Sequence, residues 1–249
     1  MQKMTIASAA VVVAFGASST AIAANNMGIY YYETPTVSTG DFGPCCSSPP
    51  ATSPGITPDA LLGPDGLPVN QGNVIDVNGS KEILWWSPGV ESPNPITFTG
   101  SGVFSVGTVA SPDSSTMYAP NSTGTDDSTN FETAYLWGTI LGTGADVTLH
   151  VSSDDDTLVY LNGSFVGGNQ GVHGVEAMDF DLGLLSGANT LQIFYADRAQ
   201  TGAELNLGID GASISGVPEL STWVIMGLGF AGLGFAASRR ASKPAPSVA

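Results

Sequence analysis

Between residues 96 and 210, apolar side chains keep returning at every second position, and that period restricts the folds open to this chain. Val147, Leu149 and Val151 share one face of an extended segment, and Thr148, His150 and Ser152 share the other. Phe180 and Leu182 alternate with Asp179 and Asp181, Ile193 and Tyr195 with Gln192 and Phe194, and Leu205 and Leu207 with Glu204 and Asn206. No stretch of the body sustains a 3.6-residue repeat. Asn162-Gly163 closes one apolar run with a two-residue hairpin signal. Many short strands with frequent turns predict a mainly β fold, a β-sandwich or jelly-roll.

The N-terminal part of the body reads differently. Residues 25–33 are rich in tyrosine and predict a first or edge strand. Residues 34–73 are crowded with Pro, Gly, Ser and Thr and predict a long irregular surface excursion. Trp85 and Trp86 read as core in preference to a ligand platform. Cys45 and Cys46 are the only cysteines and adjoin each other. An oxidising compartment leaves them a strained bridge between neighbours or a pairing with another molecule. His150 reads as an outward strand residue and His173 as a loop residue, neither as a general base.

Charge is distributed unevenly. Between residues 24 and 216 there are two basic residues, Lys81 and Arg198, against 21 acidic ones, a net charge of −19. Such a surface repels nucleic-acid phosphates and excludes nucleic acid as a partner. It is compatible with divalent cations held by clustered carboxylates.

The two ends point to export. Residues 1–23 run from a charged start at Lys3 through an apolar stretch to Ala21-Ile22-Ala23, the layout of a secretory signal peptide. Residues 220–237 carry no charge and suffice for one transmembrane helix across a hydrocarbon core of about 30 Å. Arg239 and Arg240 follow, which keeps residues 241–249 as a cytoplasmic tail and places the body on the opposite side. Val217, Pro218 and Glu219, then Trp223 and the Gly-rich apolar run, then Arg239-Arg240, resemble the PEP-CTERM sorting signal of Gram-negative bacteria, here over residues 217–240. Leu220 stands where that family usually has a second proline. The resemblance implies an inner-membrane anchored precursor, handling by an exosortase-type transpeptidase, and a destination at the cell surface or outside the cell. It also implies association with extracellular polysaccharide and biofilm matrix.

The segment richest in chemistry is residues 152–174. Asp154, Asp155 and Asp156 stand side by side between two apolar runs. Adjacent carboxylates repel unless a cation or hydrogen-bond donors compensate. The run is either a calcium-binding loop or an acidic turn capping its own backbone. Arg198, the one arginine of the body, is expected to pair with a carboxylate of this run and pin two strands together.

The wider pattern resembles the fibro-slime domain. It takes in Leu62-Gly63-Pro64-Asp65-Gly66-Leu67-Pro68-Val69, the run from Ser153 through Asp154 and Asp155 to Asn162-Gly163, then Gly171-Val172-His173-Gly174, and Asp197-Arg198. The match spans roughly residues 60–210 and is strongest over 147–209. Asn169-Gln170 interrupts the glycine run, and Asp197 stands where glutamate is commoner. The resemblance implies a lectin-like β-sandwich over residues 24–216, with Asp154 and Asp155 at the positions that hold calcium and sugar in related modules.

These readings give three functional expectations. The first is a non-catalytic, exosortase-sorted surface or matrix protein. The second is a calcium-dependent glycan-binding adhesin. The third, a glycosidase using two carboxylates, has no motif behind it.

Overall fold

The computed structural model describes residues 25–35, 41–42, 56–72, 74, 76–87, 96–107, 130–199 and 203–216. The expected signal peptide, Cys45, Cys46 and the whole sorting signal with its helix and tail lie outside these residues. Among the described residues no helix is long and apolar enough to cross a membrane.

The described residues form ten strands: β1 (Asn26–Pro35), β2 (Pro58–Leu62), β3 (Pro68–Asn70), β4 (Thr97–Ser105), β5 (Asn130–Asp154), β6 (Asp156–Leu161), β7 (Ser164–Asn169), β8 (Glu176–Ala196), β9 (Glu204–Asp210) and β10 (Ala212–Ser215). One turn of 3₁₀ helix, Leu84–Trp86, is the only helical element among them. The named strands pair in the order β3-β2-β7-β6-β8-β5-β1-β4, with β9 and β10 also paired to β5. Every strand pair in this network is antiparallel.

β5 and β8 organise the architecture. They stay paired from Thr133↔Ala196 to Ser153↔Glu176, with bulges after Thr143 and Val147. The start of β5 takes β1 on its other edge, while its last residues, Thr148 to Asp154, take β9. The two strands therefore run through both layers of a β-sandwich. Sequence alternation predicted separate strands at 135–141 and 146–152; the structure joins them into one bent strand. Gly144, at φ 87°, sits at the bulge where a side chain would be strained.

The layers enclose an aliphatic core. Met27, Ile29, Leu136 and Ile193 come from one layer, and Val147, Leu149, Val151, Leu205 and Leu207 from the other. Each fully buried side chain of this kind contributes about 1.5–3 kcal/mol. The outer face of the first layer carries a second core, this one aromatic. Phe131, Leu158, Tyr160, Phe194 and Ala196 are roofed there by Phe42, Trp85 and Trp86. Residues 34–73 are thus not wholly a surface excursion: they supply Phe42, β2 and β3. β1 is not an edge strand either, because β4 and β5 flank it.

The hairpin at Asn162-Gly163 forms with both residues at positive φ, 52° and 78°, as a type I′ turn requires. The Asn162 side chain then ties the turn to β8, accepting the Thr190 N–H at 2.9 Å.

Candidate functional site

β5 ends at Asp154, a cis peptide joins it to Asp155, and β6 begins at Asp156. The β6–β8 register pairs Asp156 with Ala196, so Asp155 faces the end of β8 and its next residue, Asp197. One carboxylate oxygen from each of Asp154, Asp155 and Asp197 can be chosen so that all three lie within 4.8 Å of one another. All three residues are buried.

Asp155 is the most constrained. Its Oδ1 accepts the His173 N–H at 2.7 Å, and its Oδ2 accepts the N–H groups of Arg198 at 2.8 Å and Ala199 at 3.1 Å. These bonds fold the glycine-bracketed loop around His173 over the end of β8. The neighbouring main chain is fixed as well. Tyr195 Oη donates to the Asp154 carbonyl and accepts the Glu204 N–H at 3.0 Å, which ties β9 to the cluster. Ser153 Oγ donates to the Asp155 carbonyl at 2.9 Å.

Asp156 takes another role. Its Oδ2 accepts the Arg198 Nε–H at 2.6 Å, and its Oδ1 accepts the Gly171 N–H at 2.7 Å. Arg198 is fully buried, and its guanidinium carbon lies 5.2 Å from the centre of the Trp85 ring. Trp85 in turn donates from Nε1 to Asp41 at 3.2 Å. The sequence grouped Asp154, Asp155 and Asp156 as one ligand set. In the structure the third carboxylate of the cluster is Asp197, because Asp156, as the first residue of β6, turns to the arginine. Only the register of β6 against β8 identifies Asp197, and no local signal in the sequence carries it.

The electrostatics follow from burial. Burial, then the charge of Asp155, then that of Glu204, push the Asp154 carboxyl up to about 8. Burial also raises Asp155, against the lowering effect of the N–H groups of His173 and Arg198. Carboxylates this close cannot all ionise without compensation, so the cluster must hold a proton or a cation. All-oxygen donors suit a hard divalent ion, and two oxygens that share one calcium at about 2.3–2.6 Å lie at most about 5 Å apart. The spacing and chemistry of this donor set fit calcium.

His150 belongs to a different place. It is buried, contrary to the outward position that alternation suggested. Its Nδ1 lies 2.6 Å from Asp179 and its Nε2 lies 3.5 Å from Asp210. His173 Nδ1 lies 2.7 Å from the Gly174 carbonyl, which fixes the proton on that nitrogen.

No protein-family model and no curated protein sequence matches the chain. Among solved structures it is similar to the PA14 sugar-binding domain from an RTX adhesin, at 20% identity and a TM-score of 0.30. That alignment covers 34% of this chain and 51% of the adhesin chain, so it spans about half of the latter's length. It is also similar to the PA14 domain of the MpAFP antifreeze protein, at 10% identity and a TM-score of 0.34, over 76% of this chain and 90% of the other. The sandwich assignment rests on the strand pairing itself.

Proposed function

We propose that the chain is an exported, non-catalytic surface protein whose body binds glycans through a calcium ion held by Asp154, Asp155 and Asp197. The observation that carries this reading is the convergence of three buried carboxylates at the end of β8, within calcium-sharing distance of one another. Calcium removes the charge repulsion and offers open coordination positions to sugar hydroxyls. The loop through His173, tied to Asp155, shapes the approach to the ion. The likeness of residues 60–210 to fibro-slime domains agrees with this role.

The order of features in residues 217–240 supports a finer reading: sorting by an exosortase-type transpeptidase from the inner membrane to the surface, to join extracellular polysaccharide. Removing residues 218–240 should shift the protein from the membrane fraction to the periplasm or medium. Recovery of the truncated chain in carbonate-washed membranes would defeat the sorting reading alone.

Glycan binding is tested on the full chain in detergent, with a glycan array read in calcium and in excess chelator. Calcium-dependent binding that Asp155→Asn abolishes is the expected result. An array on which no glycan loses binding in chelator, or on which Asp155→Asn spares every calcium-dependent glycan, would overturn the calcium site.

A further inference from the structure

We propose that the outer aromatic face of the first layer is a second binding groove, independent of any cation, that takes a neutral polysaccharide chain. The β1–β5–β8 register aligns Tyr30, Tyr135 and Phe194 on three neighbouring strands. The adjoining residues on each strand, Ile29, Leu136 and Ile193, point into the aliphatic core. The aligned rings touch in series. Tyr135 stacks on Phe194 with centroids 4.9 Å apart, and Tyr30 lies 6.4 Å from Tyr135. Phe194 is buried beneath Trp86 and anchors the inner end of the row, so the rings open to a ligand are Tyr30 and Tyr135, on neighbouring strands about 4.8 Å apart. A row suits a chain of sugars better than one monosaccharide.

The row extends to Trp137, whose ring stacks on Tyr135 at 5.6 Å and approaches Tyr30 to 4.4 Å. Its indole lies flat because the residue beneath is Gly28, where any Cβ would come within 2.4 Å of the ring. Among the described residues, Trp86 and Leu67 border a groove of about 350 Å³ lined by Tyr30 and Tyr135, which Trp137 adjoins through those two rings.

Three properties of this groove select a sugar. The π faces of the rings are electron-rich and attract the weakly positive axial C–H groups of a pyranose. Polar groups at the margin can orient its hydroxyls: Ser87, Gln192 and the tyrosine phenols. Gln192 Nε2 donates to Tyr135 Oη at 3.0 Å, so that phenol keeps its own proton for a ligand hydroxyl. Finally, among the described residues Asp65 is the one charged residue lining the groove, within a body of net charge −19. That field repels uronate and sulfate chains and leaves neutral ones.

This groove is set apart from the carboxylate cluster by its chemistry, and the proposal holds whether or not Asp155 binds a metal. The test uses the full chain in detergent with cellohexaose and mannohexaose as neutral probes and hexagalacturonate as the charged control, all in excess EGTA. At least one neutral hexaose should change the tryptophan fluorescence and protect the protein from acrylamide quenching, with no response to hexagalacturonate. Tyr30→Ala should weaken binding roughly tenfold, the loss of one stacked ring. Tyr30 is 38% exposed, so its substitution tests the groove without emptying the core. The quenching assay on the unaltered chain needs no variant. Absence of a response to either neutral hexaose, equal binding of the charged one, or abolition by EGTA with Tyr30→Ala silent would each overturn the proposal.

Discussion

Asp179 and Asp210 keep their carboxylates largely in water around the buried imidazole of His150, whereas Asp154, Asp155 and Asp197 turn theirs inward toward one another. Both groups draw on residues of β5 and of its neighbours in the same sheet. In the first, water screens two carboxylates that are more than half exposed, and His150 lies between them. In the second, the backbone N–H groups of His173, Arg198 and Ala199 satisfy part of the charge, and the remainder demands a proton or a cation. A cluster's setting, more than its acid content, decides whether it can serve as a binding site.

Removing Arg198 should break this contrast most severely. Arg198→Ala leaves the Asp156 carboxylate buried with only the Gly171 N–H, a change that costs roughly 3–5 kcal/mol. Urea denaturation measures it. A midpoint shift worth less than about 1 kcal/mol would place the pair in the same class as a surface bridge.

Calcium should act on one cluster only. At 100-fold over its dissociation constant the ion should stabilise the protein by about 2.7 kcal/mol, and Asp155→Asn should remove most of that gain. A melting temperature indifferent to calcium would leave the inward cluster to a proton.

The pH response sharpens the distinction further. Without metal, folded Asp154 holds a proton up to about 8, while the unfolded chain releases it near 4. The native state therefore binds more protons across that window, and stability falls as pH rises through it. From pH 5 to pH 7 the metal-free protein should lose on the order of 2 kcal/mol, and calcium should cancel the loss. Thermal melts across this range, with chelator and with calcium, read both effects. Stability that rises over the same interval in chelator would reverse the assignment.

The smallest effect belongs to the outward cluster. Asp179→Asn should cost about 0–1 kcal/mol and leave the calcium response intact, because its carboxylate is two-thirds exposed. A loss as large as that of Arg198→Ala would show the two clusters to be energetically alike.

Sequence alternation made the aliphatic core legible: Val147, Leu149, Val151, Ile193 and Leu207 fall on the inner faces where their period places them. Asn162-Gly163 announced its hairpin for an equally local reason. Trp85 and Trp86 were legible as core residues, but the rest of the aromatic core was not, since Phe42 reaches it from a loop and no period marks it. Strand continuity was also hidden. Gly142 and Gly144 look like a turn, yet β5 passes through them because β8 supplies partners on the far side of the bulge. The position of His150 depended on a neighbour that only β9 brings, some sixty residues later. At the candidate site, Asp154, Asp155 and Arg198 stood out by charge alone. Asp197 required the register of β6 against β8, which is a long-range fact.

The two extremities of the described body touch. Asn25 accepts the Ile214 N–H through its side chain at 3.1 Å, and Asn26 accepts the Gly216 N–H at 3.2 Å. A polypeptide that starts and finishes at one point is a closed circuit interrupted at a single place. It can be spliced into another chain like a bead threaded at one hole, with the host's incoming and outgoing segments adjacent. Its ends could also be fused and fresh ones opened at the exposed Asn162-Gly163 tip, leaving the carboxylates and the aromatic row on an unbroken stretch of framework.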